Sequence, residues 1–188
     1  MLIDTKERHG TVREGYQLLL RADAKLLLPT EHTRICEFYE RMCQACMTWA
    51  IEMHGERLRG EFLQLESVRE KSRVRTQGYR FSMRIPWTSD RHAVFLCESV
   101  LNGHSRDTHN TYRRISHMWN LEEETVLPIS QIMDFFDIKL KRDMLPFKPD
   151  GVYPDGGGLV LFRNPTRTSP FMERKLEVGV LKARKKEE

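Results

Sequence analysis

Between Tyr79 and Trp87 the chain reads Tyr-Arg-Phe-Ser-Met-Arg-Ile-Pro-Trp, with a large apolar side chain at every odd position. Side chains on an extended strand alternate between its two faces, so Tyr79, Phe81, Met83, Ile85 and Trp87 fall on one side. Arg80, Ser82 and Arg84 fall on the other. Such a segment belongs in a sheet with one buried face and one wet, cationic face, and the cover for the buried face must come from elsewhere in the chain.

That cover is a helix. Ile35, Phe38, Tyr39, Met42, Cys46, Trp49 and Met53 recur at spacings of three and four, which defines one apolar stripe. Thr30 is its expected N-cap and about Leu65 its expected end, with Gly55 or Gly60 as interruptions. Burying a large apolar side chain is worth about 1.5–3 kcal/mol, so the stripe is expected to lie across the sheet.

The other elements follow from shorter patterns. Tyr16, Leu18 and Leu20 alternate, then Ala24, Leu26 and Leu28, which predicts a short hairpin or two linked strands ending at Pro29. Residues 93–101 are apolar on both faces and so are expected at the centre of the sheet. Asn102-Gly103 signals a turn, followed by a polar loop through Asn110 and a strand over 112–119. A short helix is expected over about 129–140, containing Ile132, Met133, Phe135 and Phe136. Gly156 to Gly158 read as a tight turn into Leu159-Val-Leu-Phe162, and Leu176, Val178 and Val180 as a last strand. The fold class is therefore α+β: a twisted antiparallel sheet with one long helix across one face and a second short helix. All 188 residues form a single domain in this reading, with 1–11 and 182–188 as flexible ends.

Composition narrows the function classes. A formal charge of +4 and a pI near 8.9 give a weak bias toward anionic partners, short of a nucleic-acid-binding signature. No apolar run approaches the roughly 20 residues that cross a bilayer, so membrane insertion is not expected. The first residues lack an apolar signal core. Three of the four cysteines (Cys36, Cys43 and Cys46, against Cys97) fall in the predicted helix. That is a poor disulfide framework and suits a reducing cytoplasm, the expected location.

Several constellations carry chemistry on paper. Cys43-Gln-Ala-Cys46 sits mid-helix, where a redox pair would want the helix N-terminus, so these thiols read as packing groups. His104, Asp107, His109 and His117 could hold a metal, but their spacing matches no established metal signature. Arg80, Arg84, Arg106, Arg113 and Arg114, with Tyr112 and Trp119, suggest a cationic face able to meet phosphate or bases. The simpler reading is a solvated face whose charges discourage edge pairing. Gly156 to Gly158 lack the Lys-Ser/Thr of a phosphate loop and precede a strand, and no serine sits in a Gly-x-Ser-x-Gly elbow.

The order of elements resembles the extracytoplasmic domain family found in the anti-sigma factor RsiV and the peptidoglycan deacetylase PdaC. The features that carry the resemblance run over about residues 12–181. They are Leu28-Pro29 closing a strand pair, Tyr39 near the start of a long helix, Asn102-Gly103-His104, and Trp119 to Phe136. The closing pattern, Gly158-Leu-Val-Leu-Phe162, Asn164-Pro165 and Ser169-Pro170-Phe171, is the most specific. Members with known roles are tethered outside the membrane, and the family's double-glycine loop is here a single Gly103. The resemblance implies a bacterial, non-catalytic binding or sensory module with no cofactor and no metal. From the residues themselves, the expected contact surface is the exposed sheet face and the 102–112 loop, with His104, Arg106, His109, Tyr112, Arg80 and Arg84 as the binding residues and a protein or small ligand as the expected partner. The alternatives are a nucleic-acid or anionic-ligand binder using the arginine face, and a metal-dependent enzyme built on the segment from His104 to His117.

Overall fold

The computed structural model describes residues 1–102, 112–136, 147–166 and 168–177. Its architecture is α+β. Six strands form one sheet in the order β1 (Ile3–Glu14), β2 (Gln17–Pro29), β3 (Gln77–Thr88), β4 (His92–Asn102), β5 (Tyr112–Asn120) and β6 (Thr125–Leu127). A second sheet holds β7 (Gly151–Asp155), β8 (Gly158–Arg163) and β9 (Met172–Glu177). The chain divides into two compact units, Met1–Met83 with Glu98–Tyr112, and Arg84–Cys97 with Arg113–Glu188.

In the first unit, β1 and β2 make a long antiparallel hairpin turning at Gly15, whose φ of 56° suits glycine. The expected lead-in over residues 1–11 is therefore mostly strand, and β2 continues through 21–23, where a break was expected. Helix α1 (Thr33–Thr48), a π-helical segment (Trp49–Gly55) and α2 (Glu56–Leu63) form one helical run, followed by the short α3 (Val68–Lys71). His32, not Thr30, occupies the N-cap, and it makes no side-chain capping bond. The Thr30 hydroxyl instead donates to the Leu2 carbonyl at 3.5 Å.

The buried stripe of this run also differs from the expected one. Ile35, Tyr39, Cys43, Met47, Ala50 and His54 are buried, whereas Trp49 and Met53 are exposed. A π-helix turns less per residue than an α-helix, so its wider turn re-phases which positions meet the sheet. Gly55 is required there: a Cβ on it would lie 2.4 Å from Val12 Cγ2.

The helical run connects β2 to β3, and these two strands are parallel, with Leu20 opposite Gln77 and Leu26 opposite Met83. A parallel pair needs a crossover, and a helix packed on the sheet is the usual one. The large sheet is therefore mixed at this pair. Leu20, Ala22, Ala24 and Leu26 of β2 join Tyr79, Phe81 and Met83 of β3 beneath the helix. The alternation read from residues 79–87 holds through Met83, beyond which Ile85 and Trp87 are half-buried.

The second unit has its own core. Val94 and Leu96 of β4 pack with Met118, with Ile132 and Phe136 at the end of α4 (Ile129–Phe135), and with Val152, Leu159 and Leu161 of the second sheet. The turn from β7 to β8 has Gly156 and Gly157 at φ 51° and 86°, the backbone a two-residue hairpin loop demands. The expected continuation of α4 to residue 140, Val178 and Val180, and the 182–188 terminus lie outside the described residues.

Candidate binding surface

The open face of the first unit is built by strand alternation. On β2 the side chains opposite the helix are Arg21, Asp23 and Lys25; on β1 they are Glu7, His9 and Thr11; on β3 they begin with Gly78, Arg80 and Ser82. The registers set His9 beside Asp23, Asp23 beside Arg80, and Arg21 beside Gly78. Directly opposed side chains on one face are close enough to interact.

Asp23 is the hub. His9 Nδ1 lies 2.8 Å from its Oδ1, and Arg21 Nε donates to Oδ2 at 2.9 Å. The hydrogen bond from His9, with that from Arg21, holds this carboxyl below its usual range despite some desolvation. Arg80 is exposed, and among the described residues it makes no ion pair. Arg21, Asp23, Gly78, Tyr79, Arg80 and Asn102 line an open concavity of about 380 Å³. Gly78 gives it depth, since a Cβ there would meet nothing within 4 Å. The arrangement offers one guanidinium unpaired among the described residues, a second held by Asp23, and an amide, all on one sheet. It can grip a planar anionic group by charge-assisted hydrogen bonds.

The expected residues distribute as follows. Arg80 lies in this concavity. Tyr112 donates its hydroxyl to Glu98 Oε1 at 2.5 Å. Arg84 belongs to the second unit, 5.6 Å from the centre of the Tyr153 ring. His104, Arg106 and His109 lie outside the described residues, as does Asp107. His117 is half-buried, and desolvation depresses its pKa. Among the described residues no three His, Cys, Asp or Glu side chains gather as a metal site, and no helix is long and apolar enough to cross a membrane.

Sequence reasoning missed His9, Arg21, Asp23 and Asn102. A signal was present in the i, i+2 pair of Arg21 and Asp23, but the residues between the two apolar alternations read as a turn. The cysteines pack as expected. Cys43 is fully buried, its thiol pushed up to about 11 by desolvation. Cys46 is hydrogen-bonded to the Tyr79 hydroxyl, which also meets Ser99.

Arg113 and Arg114, neighbours in one strand, face opposite sides. Arg114 lies largely buried in the second unit. Its guanidinium sits 4.9–5.5 Å from the ring centres of Tyr153, Phe162 and Phe171, and donates to Glu173 at 2.7 Å. Phe162 and Phe171 come from the closing pattern 158–171. That pattern builds a cation cage around an arginine of the chain itself.

No family model matches the sequence, and no curated protein matches it either. Solved structures do. A DUF3298 family protein from Pseudomonas aeruginosa PAO1 aligns with 94% of this chain and 89% of its own, at 12% identity and a TM-score of 0.50. A member of the same family from Bacteroides fragilis NCTC 9343 aligns with 94% of this chain and 90% of its own, at 10% identity and a TM-score of 0.51. At these identities the likeness is one of fold, shared with a fold family related to the RsiV- and PdaC-type domains.

Proposed function

We propose that this protein is a non-catalytic binding module whose contact surface is the open sheet face around Arg80. The partner is a protein that presents an acidic side chain to the concavity between Arg21, Arg80 and Asn102. The observation that carries this reading is the guanidinium of Arg80, without an ion-pair partner among the described residues, beside Gly78, whose missing side chain leaves room for an incoming group. The neighbouring Arg21 is already held by Asp23, so Arg80 supplies most of the attraction. Glu98 and Asp23 on the same face make it a poor track for a polyanion, which favours a discrete acidic contact over nucleic acid.

The test is a quantitative pull-down from lysate with the wild-type protein, Arg80→Glu and Gly78→Leu, at low and high salt. A stoichiometric protein partner should be retained by the wild type and lost by both variants. Arg80→Glu reverses the attraction, and Gly78→Leu fills the concavity without changing charge. Full retention by both variants would place the contact elsewhere. Recovery of nucleic acid alone, at low salt only, would replace this reading with the polyanion one.

A further inference from the structure

We propose that two copies of this chain associate through the outer edges of their β1 strands, antiparallel about a two-fold axis at Gly10. β1 ends the order of the six-stranded sheet, and among the described residues no strand pairs with its outer edge. The direction of its backbone groups can be read from one bond. Thr30 N–H donates to the Leu2 carbonyl at 3.1 Å, one step beyond the Ile3–Pro29 pair. Bonding alternates along an antiparallel ladder, so even residues of β1 bond inward to β2. Ile3, Thr5, Glu7, His9 and Thr11 therefore turn their N–H and C=O groups outward. Past the bulge after Val12, the Arg13 carbonyl also faces out, accepting from Arg59 at 2.9 Å.

The Arg13 carbonyl is thus already engaged, but over residues 3–11 the strand keeps an open row of donors and acceptors, a template for another strand. What selects a second copy is the charge pattern. With Gly10 on the axis, Lys6 meets Glu14 of the second copy, Glu7 meets its Arg13, and His9 meets its Thr11. Each pairing occurs twice. Only same-parity residues are opposed, so each face of one sheet continues into the same face of the other.

On the helix side, Lys6 already pairs with Glu40 at 2.6 Å, and Glu14 with Arg59 at 3.2 Å. Joining Lys6 to the second copy's Glu14 links these into one alternating chain of charges. On the open side, Lys25 lies 3.6 Å from Glu7, and Arg13 of the second copy extends that row. Neighbouring registers do worse: one sets Asp4 against Glu14, another His9 against Arg13, and a third Glu7 against itself.

The helical run sits close to this edge: α1 packs on β2 and is reached by Lys6 and Arg8 of β1, and the π-helical segment and α2 touch β1 itself. Ile51 is seated on Gly10, so in the pairing the two copies' Ile51 side chains come together over the axis.

The test is sedimentation equilibrium of the 188-residue wild type, Glu7→Arg, Arg13→Glu and the double variant, from low to high micromolar protein. The wild type should form a dimer that weakens with salt. Each single variant creates two like-charge contacts and should weaken dimerisation by about tenfold or more. The double variant, Glu7→Arg with Arg13→Glu, restores opposite charges and should recover the dimer. A wild type that stays monomeric throughout would overturn the proposal. So would a dimer indifferent to the single variants, or one that the double variant fails to restore.

Discussion

The side-chain amide of Asn164 takes the place of a strand beside Arg114. Arg114 N–H donates to Asn164 Oδ1 at 2.7 Å, and Asn164 Nδ2 donates back to the Arg114 carbonyl at 2.8 Å. Asp150 in turn accepts the Asn164 N–H at 2.8 Å. One residue of the closing pattern thus fixes the backbone of β5 directly below the aromatic cage. Asn164→Ala removes both bonds and should cost about 1–3 kcal/mol. Asn164→Asp keeps the acceptor and loses the donor, so it should fall between. Urea denaturation of the three proteins checks the order; equal stability would make the amide incidental.

Two glycines of the same helical run should respond to alanine with opposite signs. A Cβ at Gly55 would press on Val12 and lie 3.3 Å from Leu20, both core groups with little freedom. Gly55→Ala should destabilise by about 1–3 kcal/mol through overpacking. A Cβ at Gly60, in α2, would meet nothing within 4 Å. Gly60→Ala should stabilise by about 0.5–1 kcal/mol, because glycine loses more chain entropy on folding. Thermal melts of the two variants would show Tm moving down and up respectively.

Acid should weaken the protein through a half-buried imidazole. Desolvation holds the folded pKa of His117 below its ordinary value of 6.5. A depressed folded pKa means that the neutral form contributes stability above the unfolded value. That contribution is lost as pH falls through the folded pKa. Stability should therefore decline on acidification below about pH 6.5. His117→Gln should flatten that decline, while His92, depressed for the same reason, leaves a residual slope. Denaturation midpoints measured from pH 7 to pH 4 test this, and identical slopes in the two proteins would exonerate His117.

The central strands were legible in the sequence because they bury what they display: Phe81, Met83 and the apolar run of β4 have no other place to go. β1 was not legible, since its helix-facing positions are Lys6, Arg8 and Gly10. Lys6 bonds to Glu40 and Arg8 to Gln44 across the helix, leaving their stems to cover apolar surface. A strand that packs with aliphatic stems and a glycine shows no apolar alternation. The helical stripe was legible at Ile35 and Tyr39, but within α1 it continues at spacings of four through Cys43 and Met47 rather than Met42 and Cys46. Beyond it the π-helical segment, which leaves no periodic signature in seven residues, buries Ala50 and His54 in place of Trp49 and Met53. Of the candidate surface, Arg80 could be read from its strand. Arg21, Asp23 and His9 could not, because only the hairpin register brings them together.

The parallel pairing of β2 with β3 also governs the order in which the chain can assemble. The β1–β2 hairpin closes a short loop and can form as soon as Pro29 is available, within microseconds for an isolated hairpin. β2 then waits with its inner edge bare, because Leu20 has no partner until Gln77 arrives and the intervening helical run has been laid down. Non-local pairing of this kind incurs its loop-closure entropy before any contact repays it. The slow step of folding should therefore be the docking of β3. On the ribosome, the stretch of synthesis between Pro29 and Met83 is the interval in which the nascent chain is most open to mispairing.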